Sequence, residues 1–568
     1  MSQLQSYLSS PKYGYDFVVA TTQASINATM KEYLSDAGQP QVIMCYVMNA
    51  QGVATAIDYA TLKANAKGSD PFAVPNNADV STNQDIKNLS DAYFLYAFKA
   101  SIGLPPGYAP AAIPDVVTLG GNTASVTYNM MCSTFEVTQA TYGPRGIVSW
   151  LNQSQPNGAA WLFTSQVDLR LGIADASAYS KLPAPVQAQI KNLGGNAFSV
   201  QQLLFDLDNA ALETVPVITG VAPGSDLYGA LQKMFLGAYF TALQKNGQPV
   251  LSYSITQSEV PPSTLTLTDL NMQVSPFVGD NGQPVPQPSN DQKNLATLSY
   301  LCAANGHQLP AASPFTWNWV DASQASLYHG VIAINRNTLA AYYASLLTPL
   351  VMKSCLKPST TVTAHMMGSL DTTWNLVAYQ TPTATYPTGG DTVLTLSYSG
   401  AADSHDKSGL TYGEFDLHTD YTCSVSFKGS TIVIVQHMVI WTKVVFDYSS
   451  ADGNVVDKTI TDTYTLSIDQ NGHLQTVMTT ATVDNSQNPD FGWFIKLISD
   501  FQDLINKIKD YATGVAATHL ADIPAQDVRN FVFPGGRTFT YKDVSFSGNQ
   551  DLVSHITYVQ PSSLQYMA

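Results

Sequence analysis

Glu414, Asp416, His418 and Asp420 follow one another at a spacing of two in the run Glu414-Phe415-Asp416-Leu417-His418-Thr419-Asp420. On a β-strand alternate residues share a face, so three carboxylates and an imidazole would stand in one row with Phe415 and Leu417 behind them. Such a row can ligate a divalent cation, and its oxygens favour calcium or magnesium over zinc. With a metal it would suit a metal-assisted hydrolase or cyclase using Glu414, Asp416 and His418. The same pattern also describes the wet face of an amphipathic strand, and one strand cannot complete a coordination shell without ligands from its neighbours. A second run, Ile432 to Trp441, is apolar on both faces, with Gln436 and His437 in its middle. Both faces of that strand are expected to be covered, and the polar pair needs hydrogen-bond partners there.

The elements that must position these residues are long strands. Thr431 to Tyr448 and Val455 to Asp469 read as two of them, joined by a turn at Asp452-Gly453-Asn454. Nearly everything from Thr361 to Val483 reads as antiparallel strand, with a hairpin turn at Asn471-Gly472. The segment 489 to 513 then changes period. Phe491, Phe494, Ile495, Ile498, Phe501, Leu504, Ile505, Ile508 and Tyr511 form a helical stripe. Asn488 can cap it, Pro489 suits its first turn and Gly514 its end, giving a helix roughly 34 Å long. A long helix laid on a curved, long-stranded sheet makes a tube able to hold lipid. Phe494, Ile498, Phe501 and Ile505 are therefore the expected ligand-binding residues. The other reading is a helix that simply covers a sheet.

Upstream, a short strand at Lys12 to Val19 leads to a helix capped near Thr22, and residues 65 to 90 read as an exposed loop. Ser199 opens a capping-box pattern ahead of Leu203, Leu204, Phe205 and Leu207, which predicts a helix. Ser225 can cap a second long helix carrying Leu227, Leu231, Met234, Phe235, Ala238 and Phe240. Thr264 to Thr268 alternates as a strand, 276 to 291 reads as a linker or long loop, and a third helix from Thr338 is expected to break at Pro349. Two long helices, each tied to strands, suggest two halves, 1–260 and 261–568.

Composition narrows the function classes. Charged residues make up 12% of the 568 residues and the net charge is -16, which disfavours nucleic acid and simple docking on anionic membranes. There is no secretory signal pattern and no transmembrane run. The five scattered cysteines fit neither a disulfide framework nor a zinc site, so reduced buried thiols are expected. The expected location is the cytoplasm, or outside the cell by release without a classical signal peptide. His-Glu-x-x-His, Gly-x-x-x-x-Gly-Lys, Gly-x-Ser-x-Gly and Gly-x-Gly-x-x-Gly at a helix start are absent from the sequence. No catalytic residue and no cofactor is assigned.

Four segments carry a resemblance. Tyr13-Gly14-Tyr15-Asp16-Phe17-Val18-Val19 with the helix around Ile26 to Leu34 resembles the start of the clostridial forty-seven-kilodalton proteins, encoded beside botulinum-type neurotoxins with the OrfX proteins. Phe198 to Leu207, Ala333-Ile334-Asn335-Arg336-Asn337, and Phe531-Val532-Phe533-Pro534-Gly535-Gly536 are similar to the same family in the same order. That family resembles the tubular lipid-binding (TULIP) superfamily. The resemblance implies an α+β fold with long helices wrapped by strongly curved antiparallel sheets. It implies a non-enzymatic lipid or hydrophobic-ligand binding protein, or else a structural partner of co-encoded proteins in a toxin complex.

Overall fold

The computed structural model describes residues 3–35, 38–109, 112–119, 125–173, 197–218, 220–245, 252–257, 267–366, 368–470, 472, 474–487, 531–532 and 538–559. In chain order, β1 (Phe17–Thr22) runs into α1 (Gln23–Leu34), followed by β2 (Gln41–Met48), β3 (Ala54–Ile57), α2 (Tyr59–Asn65) and α3 (Gln84–Asp91). Next come β4 (Phe94–Ile102), β5 (Val117–Thr118), β6 (Ser125–Met130), β7 (Cys132–Gly143), β8 (Gly146–Ser154), β9 (Phe163–Ile173) and β10 (Ala197–Thr214). Then follow α4 (Asp226–Lys245), β11 (Ser252–Gln257), β12 (Leu267–Ser275), α5 (Asn290–Asn294), β13 (Thr297–Ala304), β14 (Gly330–Ile334) and α6 (Arg336–Val351). The long-stranded part comprises β15 (Lys357–His365), β16 (Ser369–Val377), β17 (Thr383–Thr385), β18 (Thr392–Ser408), β19 (Thr411–Lys428), β20 (Thr431–Phe446), β21 (Ser449–Ile468) and β22 (Leu474–Asp484). Four short strands finish it: β23 (Phe531–Val532), β24 (Thr538–Tyr541), β25 (Ser545–Phe546) and β26 (Leu552–Val559).

The fold is β-rich α+β, built from several antiparallel sheets. A central sheet has the order β12-β13-β1-β14-β26-β24, with β25 beside β26. All six residues of β1 and all five of β14 are buried, as expected for strands covered on both faces. Phe17, Val19, Ile332 and Ile334 join the large core on one face. Val18, Ala20, Val331 and Ala333 join an aromatic nest of Tyr13, Tyr15, Phe315, Trp317 and Trp319 on the other. One flanking region holds the sheets β3-β2-β4-β7-β8 and β23-β11-β10-β9-β6-β5 with α4, and the other holds β17-β18-β19-β20-β21-β22 with the β15–β16 hairpin and α6. The central sheet draws β1 from one side of position 260 and its other strands from the far side.

Several expectations are met and several corrected. Helices α1 and α4 lie where the sequence places them, and Ser225 Oγ accepts from the Tyr228 amide at the start of α4. The helix expected at 199 to 207 is part of β10. Leu203, Phe205 and Leu207 alternate with Gln202, Leu204, Asp206 and Asp208, a period of two interrupted at Leu204, and pairing with β9 and β11 prevails over the capping box. Residues 65 to 90 are not all loop, because Asn83 caps α3 and Ile86 and Leu89 are buried in it. Pro349 does not break α6, which runs on to Val351. Near a helix end proline forfeits one backbone bond, and buried Leu347 and Val351 hold that turn in place.

The turn between β20 and β21 is at Asp447-Tyr448, where Phe446 pairs with Ser449. Asp447 takes a φ of 53°, a left-handed conformation that aspartate tolerates. Asp452, Gly453 and Asn454 instead pair with Lys443, Thr442 and Trp441 inside β21, and the register slips between Ile440 and Trp441. That slip is a β-bulge, which recruits the same residue types as a turn. The five cysteines are free and buried. Among the described residues no helix is long and apolar enough to cross a membrane.

Candidate functional site

Burial along β19 and β20 alternates residue by residue, which splits the six-stranded sheet into an inner and an outer face. Glu414, Asp416, His418 and Asp420 share the outer face, as their spacing predicts. Glu414 and Asp416 share Lys443, and the other two have partners of their own. Glu414 takes Lys443 Nζ at 2.6 Å on one oxygen and the Tyr412 hydroxyl at 2.9 Å on the other. The Lys443 bond holds the Glu414 carboxyl below its ordinary range. Asp416 lies 3.9 Å from Lys443, and burial, followed by neighbouring Glu414, pushes its pKa up to about 6. His418 Nε2 is 2.8 Å from Asp403 Oδ1, and its ring packs on Trp441 at 4.9 Å. Asp420 accepts from Ser399 Oγ at 2.6 Å. Glu414 and Asp416 meet each other and Lys443, while His418 and Asp420 are held by Asp403 and Ser399 on β18, so the row is spent on its neighbours and not gathered around one point. Among the described residues no three His, Cys, Asp or Glu side chains gather as metal ligands.

The Gln436–His437 pair divides between the faces. His437 points outward and its Nε2 meets Asp457 Oδ1 at 3.0 Å. Gln436 points inward, where its Oε1 accepts from the Tyr421 hydroxyl at 2.9 Å and its Nε2 has no partner. Close by, Asp462 is fully buried; Oδ1 accepts from Thr480 Oγ1 at 2.6 Å and Oδ2 is unpartnered. The outward residues Val433, Val435, Val439 and Trp441 are only half-buried, so the strand expected to be covered on both faces is fully covered on one.

An apolar cleft opens where the central sheet meets the end of β21. It is lined by Ile332 and Ile334 of β14, Leu552 and Ser554 of β26, Tyr541 of β24, Val544 and Ile468, and its cavity volume is about 10 Å³. Period-two alternation aims Ile332 and Ile334 at this side together. Of its two hydroxyl-bearing residues, Tyr541 and Ser554, Ser554 donates to the carbonyl of Asp543, and the rest of the wall is aliphatic. Gly472 faces Thr540 here without a side chain, which lets the β21–β22 turn approach β24 closely. Sequence reasoning missed this cleft, because its lining comes from four separate stretches of chain.

The expected ligand residues Phe494, Ile498, Phe501 and Ile505 lie outside the described residues. Earlier in the chain, the α4 stripe is closed core. Phe235 packs against Phe98, Phe135 and Phe163 at 5.7, 5.1 and 4.6 Å, while Met234 faces outward.

No family model and no curated protein sequence matches this chain. Two solved structures align with it over most of its length. P47 of Clostridium botulinum E1 is 8% identical, covers 96% of this chain and 98% of its own, and gives a TM-score of 0.43. A lipopolysaccharide binding protein is 10% identical, covers 96% of this chain and 99% of its own, and gives a TM-score of 0.28. At such values neither likeness enters the functional reading.

Proposed function

We propose that this chain binds a lipid or other hydrophobic small molecule without turning it over, and that the cleft between the central sheet and β21 receives it. The supporting observation is the lining, five aliphatic side chains with Tyr541 and with Ser554, whose hydroxyl is already engaged with the backbone. The space between these side chains, about 10 Å³ once open solvent is set aside, admits about one methyl-sized group, so a longer acyl chain would enter by parting the lining. Each methylene buried there contributes about 0.8 kcal/mol. The proposal keeps a TULIP-like arrangement of two halves, 1–260 and 261–568, sharing the central sheet. Phe494, Ile498, Phe501 and Ile505 are proposed as further ligand contacts on their sequence period.

The test is native mass spectrometry of gently purified protein, with organic extraction and titration with a pyrene-labelled fatty acid. Wild-type protein is expected to carry or take up about one acyl chain. Val544→Trp, which fills the mouth from a half-buried position, is expected to weaken uptake about tenfold at unchanged melting temperature. Empty wild-type protein that takes up no probe overturns the reading and favours the assembly role.

A further inference from the structure

The inner face of the long sheet changes character along β21. At its far end Leu466 and Ile468 are apolar, and Ile468 lines the cleft. Further back on the same face stand Asp462 of β21 and Gln436 of β20, both buried. Asp462 pairs with Ile434 and Gln436 with Ile460, so the two polar side chains are diagonal neighbours on adjacent strands, roughly 7 Å apart. They do not bond to each other, for Gln436 Nε2 and Asp462 Oδ2 are both without a partner. Tyr343 of α6 lays its ring 5.8 Å from Phe427, whose row on this face adjoins that of Asp462, and its buried hydroxyl is also unpartnered. Among the described residues Asp462 Oδ2 is the one buried carboxylate oxygen left without a partner. Leaving such groups unmade costs more than an ordinary hydrogen bond returns, and three of them meet at one place.

We propose that Asp462, Gln436 and Tyr343 form a subsite for the uncharged, hydroxylated head of the hydrophobic ligand, a monoacylglycerol-like molecule whose tail runs along β21 toward Ile468. This rests on the reading that the chain takes up such a ligand. The three groups ask for different things, since Asp462 Oδ2 accepts, Gln436 Nε2 donates and the Tyr343 hydroxyl does either. A hydroxyl both donates and accepts, so two neighbouring hydroxyls satisfy all three. Charge sets the other heads aside. Lys458 is buried on the same face, in the row next to Gln436, with its Nζ 3.5 Å from Asp484. A cationic head would meet that ammonium and the Gln436 amide, and an anionic head would meet Asp462. Bulk solvent does not reach the subsite, because Asp462, Tyr343 and Gln436 are 0%, 2% and 5% exposed. Asp462 and Ile468 lie six residues apart on one strand face, roughly 20 Å, a span that suits a long acyl tail.

The experiment is displacement of the pyrene-labelled fatty acid from the full chain by a monoacylglycerol and by a fatty acid of equal chain length. The monoacylglycerol is expected to compete about tenfold better. Asp462→Asn keeps the bulk of the side chain and the bond from Thr480. It is expected to erase that preference at unchanged melting temperature, with fatty-acid uptake retained. Tyr343→Phe removes only the unpartnered hydroxyl and is expected to lower the preference about threefold. Equal competition by the two lipids overturns the subsite and leaves uptake standing. So does a preference that survives both substitutions, as it would if these groups held only water. A long-chain alkylamine, or glycerol alone, that competes as well as the monoacylglycerol overturns it too. Wild-type protein that takes up no probe overturns the subsite together with the reading on which it rests.

Discussion

Asp416 sits in register between Asp403 and Lys443 on the neighbouring strands, with Glu414 two residues away on its own. Its pKa rises from 3.8 to about 6 through burial and the Glu414 charge. Between those pH values the folded chain holds a proton that the unfolded chain releases, so this group lowers stability as pH rises through the window, with the full penalty above it. Asp416→Asn is therefore expected to stabilise the protein at pH 8 by roughly 1 kcal/mol after allowing for solvent screening, and to change little at pH 4. Thermal melts at both pH values check this, and an equal change at both refutes it. The shared face of Glu414, Asp416, His418 and Asp420 was legible because a strand's period is fixed. Their partners Lys443, Asp403 and Ser399 were not, because register between strands is set by turns and bulges elsewhere.

The β15–β16 hairpin packs on the inner face of the long sheet at a position that requires glycine. A Cβ on Gly413 would stand 1.9 Å from Leu370 Cδ1. Gly413→Val is expected to cost about 2 kcal/mol by overpacking, and Leu370→Ala in the same chain to restore part of it. Denaturant melts of the two single variants and the double variant test that coupling; strict additivity would mean the hairpin does not dock there. Elements with one strong signal were readable, such as the apolar face of α1, the Ser225 cap of α4 and the strands from 361 to 483. Elements with two competing signals were not. Ser199 to Gln202 imitated a helix start inside β10, and Asp452-Gly453-Asn454 imitated a turn beside a bulge. In each case pairing with neighbouring strands overrode a local preference.

At the scale of the whole molecule, the beginning and end of the chain are joined. Asp551 Oδ2 accepts from Ser6 Oγ at 2.7 Å and Leu8 N at 2.6 Å, and Oδ1 accepts from Arg336 N at 3.1 Å. β1 lies between β13 and β14, and β26 pairs with the far side of β14. Such pairings across hundreds of residues leave no local trace, so this topology was not legible. Residues 1–260 produced alone would leave β1 without either neighbour. That fragment is expected to aggregate, and co-production with 261–568 to return a soluble pair; a cooperative melt from 1–260 alone would contradict this. The same topology decides how the protein answers to force. Phe17 and Leu552 both sit level with Ile334, so β1 and β26 run in the same direction on either side of β14. Tension applied to the two ends of the chain pulls those strands in opposite senses along their length. Bonds that lie across the strands are then loaded together rather than peeled one by one, so the central sheet would act as a mechanical clasp that yields last.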